Sequence, residues 1–102
     1  MKKHQKAVDN WVKQYKIGYF KPLEILAAIT EEVGELAREL NHNFGPKKKK
    51  KTEDKNEIAS EIGDVVFTLI CLANSLGIDL DKSFGKTMKK IKTRDDERFE
   101  KK

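Results

Sequence analysis

Glu61-Ile62-Gly63-Asp64-Val65-Val66-Phe67-Thr68-Leu69-Ile70-Cys71-Leu72-Ala73 opens on two acids and runs on into residues that are apolar almost all round. The acids stand three apart and so share one helix face. From Val65 to Ala73 no polar face remains. A helix of that kind is buried on more than one side, which in a small chain points to a subunit interface. Upstream, Glu31-Glu32-Val33-Gly34-Glu35 repeats the device, with Glu32 and Glu35 three apart and a glycine directly before the second acid. Like charges beside an apolar core repel each other and are costly to desolvate. A divalent cation shared between the two helices relieves both effects. If the helices pack antiparallel, Glu32, Glu35, Glu61 and Asp64 converge on one point, and oxygen-only ligation of this kind suits Mg²⁺ or Mn²⁺. Glycine inside a helix costs about 1 kcal/mol against alanine. Gly34 and Gly63 therefore imply a close approach of backbone or ligand. Glu31 reads as a general base or a supporting group, and Glu39 as a solvated or ion-pairing residue.

The rest of the chain reads as further helices. Ala7, Val8, Trp11, Val12 and Tyr15 are spaced helically between Gln5 and Lys16. Gly18-Tyr19-Phe20-Lys21-Pro22 breaks that pattern, and Pro22 suits the first turn of a second helix reaching about His42. Asn41 to Asn56 reads as a long polar loop holding the basic run Lys47 to Lys51. The third helix is expected from about Lys55 or Asn56, with Gly77 as its C-terminal cap. Asp79 or Asp81 caps a fourth that carries Leu80, Phe84, Met88, Ile91 and Phe99. Nothing alternates as a strand does. The expected fold is all-α, a four-helix bundle in one domain spanning residues 1–102.

Composition narrows the chemistry. The net charge of +5 arises largely from Lys47 to Lys51 and the two ends, while the central helices carry acidic faces. Acids facing a phosphate backbone repel it, so a nucleotide whose phosphates are bridged by metal fits better than nucleic acid. No run reaches the roughly 18 apolar residues of a membrane span, and no apolar signal core follows the basic N-terminus. The expectation is a soluble cytoplasmic protein. Cys71, the lone cysteine, reads as a buried inert thiol. The two histidines, His4 and His42, read as surface residues; neither stands three after an acid, so the E-x-x-H of a di-iron bundle is missing. There is no H-E-x-x-H and no glycine-rich phosphate loop. Trp11, Tyr15, Tyr19 and Phe20 offer aromatic surface either to a base or to the core. Asn74 is placed either to read a base edge or to close its helix. Two other functions stay open: an oligomeric helical module without catalysis, its acids paired with lysines across an interface, and a nucleic-acid binder using the Lys47 to Lys51 run.

Glu31-Glu32-x-x-Glu35 followed by Glu61-x-x-Asp64 resembles the E-E-x-x-E and E-x-x-D signature of MazG-like nucleotide pyrophosphohydrolases, of the all-α NTP pyrophosphatase superfamily. Gly18-Tyr19-Phe20, Leu36-Ala37-Arg38-Glu39, Asp64-Val65-Val66-Phe67 and the stretch from Leu72 to Leu80 extend the likeness over most of the chain. The resemblance implies hydrolysis of a nucleoside triphosphate to the monophosphate and pyrophosphate. It implies Glu32, Glu35, Glu61 and Asp64 as Mg²⁺ ligands, and Lys90 and Arg94 as a basic pair holding phosphates. Ile91 stands between that pair where the family often carries Asn. The resemblance further implies a bundle completed by homodimerisation, or by a dimer of dimers.

Overall fold

The computed structural model describes residues 1–46 and 57–102, which form four helices with no strand among the described residues. They are α1 (Lys2–Val12), α2 (Pro22–Phe44), α3 (Ile58–Ser75) and α4 (Leu80–Asp95). The expected all-α reading holds. The Lys47 to Lys51 run, and with it most of the expected loop, lies outside the described residues.

Boundaries moved where hydrogen bonds outweighed pattern. α1 starts earlier than its apolar spacing implies, because the terminal amine of Met1 pairs with Asp81 at 3.1 Å and the Lys2 N–H donates to the same carboxylate at 3.1 Å. It also stops earlier. Gln14 and Tyr15 donate to the carbonyls of Trp11 and Val12, tightening the last turn to three-residue spacing, and Gly18 at φ 63° turns the chain. Pro22 opens α2 as expected, and the Glu24 carboxylate accepts from the Lys21 N–H at 3.0 Å. α2 then continues to Phe44, so Asn41 to Phe44 are helical rather than loop. α3 begins at Ile58, later than expected, and ends in a Schellman motif: Ile78 N–H donates to Ala73 C=O at 2.8 Å and Gly77, φ 68°, to Asn74 C=O at 3.2 Å. The Asp79 carboxylate caps α4 by accepting from Asp81 and Lys82 N–H. α4 ends at Asp95, leaving Phe99 outside it and exposed.

α2 and α3 form the main layer, α1 packs on α3, and α4 leaves the layer with α1 as its chief neighbour. Among the described residues the buried apolar core is small: Val12, Ile25, Ile70 and Ala73. Glu39 and His42 are buried too; this corrects the expectation that His42 lies at the surface and that Glu39 is solvated, while ion pairing of Glu39 stays open. The radius of gyration is 17.3 Å, well above the ~13 Å of a compact chain of this length. Leu26, Val33 and Leu40 repeat every seven residues along α2 and stay exposed, as do Ile62, Val66 and Leu69 on α3. Ile58–Ser75 has a mean hydropathy of 1.4 over 18 residues, so by length and composition alone it meets the test for a membrane span that no stretch was expected to meet. Its polar edge, Glu61 and Asp64, is turned to α2 and the site described below.

One half-buried network ties three helices. Gln5 Nε2 donates to Asn74 Oδ1 at 2.9 Å and to Ile78 C=O at 2.8 Å, while Gln5 Oε1 accepts from Leu80 N–H at 3.0 Å. Asn74 Nδ2 donates to Gln5 C=O and to Tyr19 Oη, each at 2.9 Å. Tyr19 in turn donates to Asp9 at 2.9 Å. Asn74 thus joins α1, α3 and the 18–20 turn through its side chain, which favours the structural one of its two expected roles over reading a base edge. Asn74→Ala strands several of these groups, at about 1–3 kcal/mol. A thermal melt should show Tm falling by about 5 °C or more, while KM for any nucleotide stays unchanged. A raised KM without loss of Tm would return Asn74 to the binding site.

Candidate functional site

The antiparallel register of α2 and α3 builds the site. Glu32 lies opposite Glu61 and Asp64, and carboxylate oxygens of all three come within 4.8 Å of one another. Glu35, one turn along α2 from Glu32, stands close enough to Glu61 to raise the pKa of its carboxyl. Glu31 stands exposed beside them on the rim. Three of the four acids expected to converge form a tight triad, and Glu35 lies outside it, near enough to act on Glu61. Neither glycine is tightly approached. A Cβ at Gly34 or Gly63 would meet nothing within 4 Å, so close backbone contact within the protomer does not explain them.

The electrostatics are those of an anion cluster short of cation. Burial first, and then the charges of Glu35, Asp64 and Glu31, push the Glu32 carboxyl above the ordinary carboxylate range. Burial and Glu35, with Asp64 and Glu32 behind, do the same to Glu61. One oxygen of each, Glu32 Oε2 and Glu61 Oε2, is buried and has no hydrogen-bond partner among the described residues. Buried carboxylate oxygens without a donor are rare, because leaving them unpaired is unfavourable. Hard oxygen donors converging from two helices, two of them unsatisfied, fit a hard divalent cation such as Mg²⁺ or Mn²⁺.

A pH dependence follows. A carboxyl whose folded-state pKa is raised holds its proton in the fold while the unfolded chain releases it. Its contribution is fully present below the unfolded pKa and is lost as pH rises through the folded one. In EDTA, Glu32→Gln should therefore melt above wild type at pH 7, with the gap closing towards pH 4. Melting curves across that range check it, and a gap that is constant or widens on acidification would contradict it.

Next to the triad lies an apolar cavity of about 520 Å³, lined by Trp11, Tyr15, Ile17, Tyr19, Phe20, Ile25, Ala28, Phe67, Thr68 and Cys71 among others. Ala28 is one turn before Glu32, and Thr68 one turn after Asp64, so acids and cavity share the same pair of helix faces. The ring of Trp11 meets Tyr15 at 5.2 Å and Phe67 at 6.0 Å, both edge to face. The four aromatics singled out in the sequence all reach this cavity. Of the residues that complete it, Ala28, Phe67 and Thr68 carry no signal beyond their one-turn spacing from the acids, and Cys71 stands two turns beyond Asp64. Cys71 is half-buried in the cavity wall rather than in the core, and burial raises its thiol pKa, keeping it protonated.

Lys90 and Arg94 are not brought to the acids. They line a shallow basic surface with Lys86, Lys89 and Thr93 on α4, and Arg94 is held by Asp95 at 2.9 Å.

The MazG nucleotide pyrophosphohydrolase domain matches residues 20–99, which include the triad, the second helix and α4. YpjD of Bacillus subtilis (strain 168), itself uncharacterised, is 52% identical over 102 residues, spanning 100% of this chain and 92% of YpjD. Two crystal structures are similar. One is of Bacillus subtilis YpjD, described as a candidate pyrophosphatase, at TM-score 0.80 and 53% identity over 87% of this chain and 91% of that one. The other is of a Bacillus-conserved MazG protein, described as a nucleotide pyrophosphohydrolase, at TM-score 0.77 and 47% identity over 88% of this chain and 86% of that one.

Proposed function

Because the chain belongs to the MazG nucleotide pyrophosphohydrolase family, we propose that it hydrolyses nucleoside triphosphates to the monophosphate and pyrophosphate with Mg²⁺ or Mn²⁺, in cytoplasmic nucleotide-pool housekeeping. The observation that carries this reading is the convergence of Glu32, Glu61 and Asp64 within 4.8 Å, beside a cavity of base-stacking size. Glu32, Glu35, Glu61 and Asp64 would hold the metal. Bound there, it supplies neutralisation of the triphosphate and polarisation of its oxygens. The residues of the chain do the rest. Glu31 or Glu35, on the exposed rim, takes the proton of the attacking water. Attack at the α-phosphorus breaks its bond to the bridging oxygen, and pyrophosphate leaves with that electron pair. Lys90 and Arg94 neutralise the departing anion. The base stacks in the aromatic cavity, with Trp11 as its principal wall.

The test is release of pyrophosphate and matching monophosphate from a panel of standard and modified NTPs and dNTPs, with Mg²⁺, Mn²⁺ or EDTA. EDTA-sensitive release of both products in equal amounts supports the reading. Release of orthophosphate instead, or turnover untouched by EDTA, overturns it.

A further inference from the structure

We infer that the cavity beside the acids is shaped for an enlarged apolar base, so that the preferred substrates are nucleoside triphosphates whose base carries an added alkyl group. This rests on the stacking of the base proposed above and adds which kind of base the cavity takes.

The room comes from side-chain size. Along the two facing helices, Ala28 and Thr68 each stand four residues from an acid of the triad, and Ile25 and Cys71 each stand seven. Those spacings keep to one face of each helix, and all four residues line the cavity. Three of them are small. Packed helices ordinarily fill the space between them with side chains to crystal-like density; alanine, threonine and cysteine leave it open here. Ile25 and Cys71 form the far end, about 10 Å along the helices from the acids. The volume, about 520 Å³, is more than three times the roughly 150 Å³ in which an apolar cavity holds one benzene ring. A base placed next to the acids therefore leaves room beyond it.

The walls are as telling as the volume. Among the described residues that line the cavity, none carries a carboxylate, an amine, a guanidinium or a carboxamide. The Tyr19 hydroxyl is engaged elsewhere, donating to Asp9 and accepting from Asn74, neither of which lines the cavity. The Thr68 hydroxyl donates back to its own helix, to Val65 C=O at 2.9 Å. The Trp11 indole N–H and the Tyr15 hydroxyl belong to half-exposed side chains at the rim. Strong discrimination between bases needs buried polar groups matched to their amino and keto edges, and these walls supply none. They reward apolar surface instead. A methyl group buried there should improve binding about fourfold.

The experiment compares dATP, N6-methyl-dATP and N6-benzyl-dATP by pyrophosphate release, with dCTP against dUTP as an exchange of amino for keto. Expected is a rise in kcat/KM of about fourfold for the methyl group and about tenfold or more for the benzyl group, carried by KM. The exchange of amino for keto should change it less than the methyl group does. N6-alkyl substrates no better than dATP, or a larger effect of the amino–keto exchange, overturn the inference and leave the proposed function standing. Ala28→Leu, checked for folding by circular dichroism, fills the cavity from α2 and should bring the benzyl preference to about one; an unchanged preference in the folded variant also overturns it. A second readout needs no turnover, metal or phosphate. Trp11 is the single tryptophan and lines the cavity, so its fluorescence reports an occupant directly. In EDTA, N6-benzyladenosine should alter that fluorescence at about a tenth of the concentration adenosine requires, or less. Equal concentrations, or no response to either, overturn the inference even if the chain proves to release no pyrophosphate.

Discussion

Glu35→Gln and Asp64→Asn are each expected to reduce pyrophosphate release by about 100-fold or more, while circular dichroism shows the same helical content as wild type. The two effects come from one cause. Each acid belongs to a cluster whose charges repel one another across the α2–α3 contact, and a neutral isostere keeps the shape while relieving that repulsion. The fold therefore does not need the charge, and metal binding does. Asp64 is exposed and belongs to the triad within 4.8 Å, and Glu35 stands close enough to raise the pKa of Glu61. If both variants keep full turnover, the cluster is not a metal site. If both unfold instead, the acids are structural, and the reading of the site falls with them.

The second large effect is expected at Trp11. It is 51% exposed, yet its ring forms one wall of the apolar cavity and meets Phe67 and Tyr15 edge to face. A half-exposed tryptophan beside an apolar cavity one helical turn from the carboxylate cluster is better placed for a ligand than for the core. Stacking of a base on an aromatic side chain is worth about 1–3 kcal/mol. Trp11→Ala should accordingly raise KM by about 5- to 150-fold with kcat less affected, and Trp11→Phe should restore much of the loss. Steady-state kinetics on the best substrate of the panel measures this. An unchanged KM, with only Tm lowered, would make Trp11 a packing residue and move the base elsewhere.

The sequence was legible where periodicity and chemistry coincide. Helix α3 could be read because its apolar run and its paired acids both obey helical spacing, and the matching pair on α2 followed by the same rule. The caps Asp79 and Gly77 and the opening Pro22 were legible because each solves a local backbone problem that few residues can solve. What was hidden depends on partners remote in the chain. α1 begins at Lys2 because Asp81, far along the sequence, receives the terminal amine. Asn74 bonds to Gln5 and Tyr19, which no local pattern announces. His42 and Glu39 are buried by tertiary contacts that a polar identity argues against. The cavity is assembled from residues of α1, α2, α3 and the 13–21 turn, so only its aromatic members stood out beforehand. Lys90 and Arg94 were legible as a pair but not as to which site they serve, because that depends on the direction α4 takes.

The most direct test of the central claim, that the carboxylates of α2 and α3 form a divalent-cation site, is a calorimetric titration of Mn²⁺ or Mg²⁺ into metal-free protein. Wild type should bind saturably, and Glu35→Gln and Asp64→Asn should each bind at least about tenfold more weakly. Equal binding by all three chains, or no saturable binding by the wild type, would contradict it.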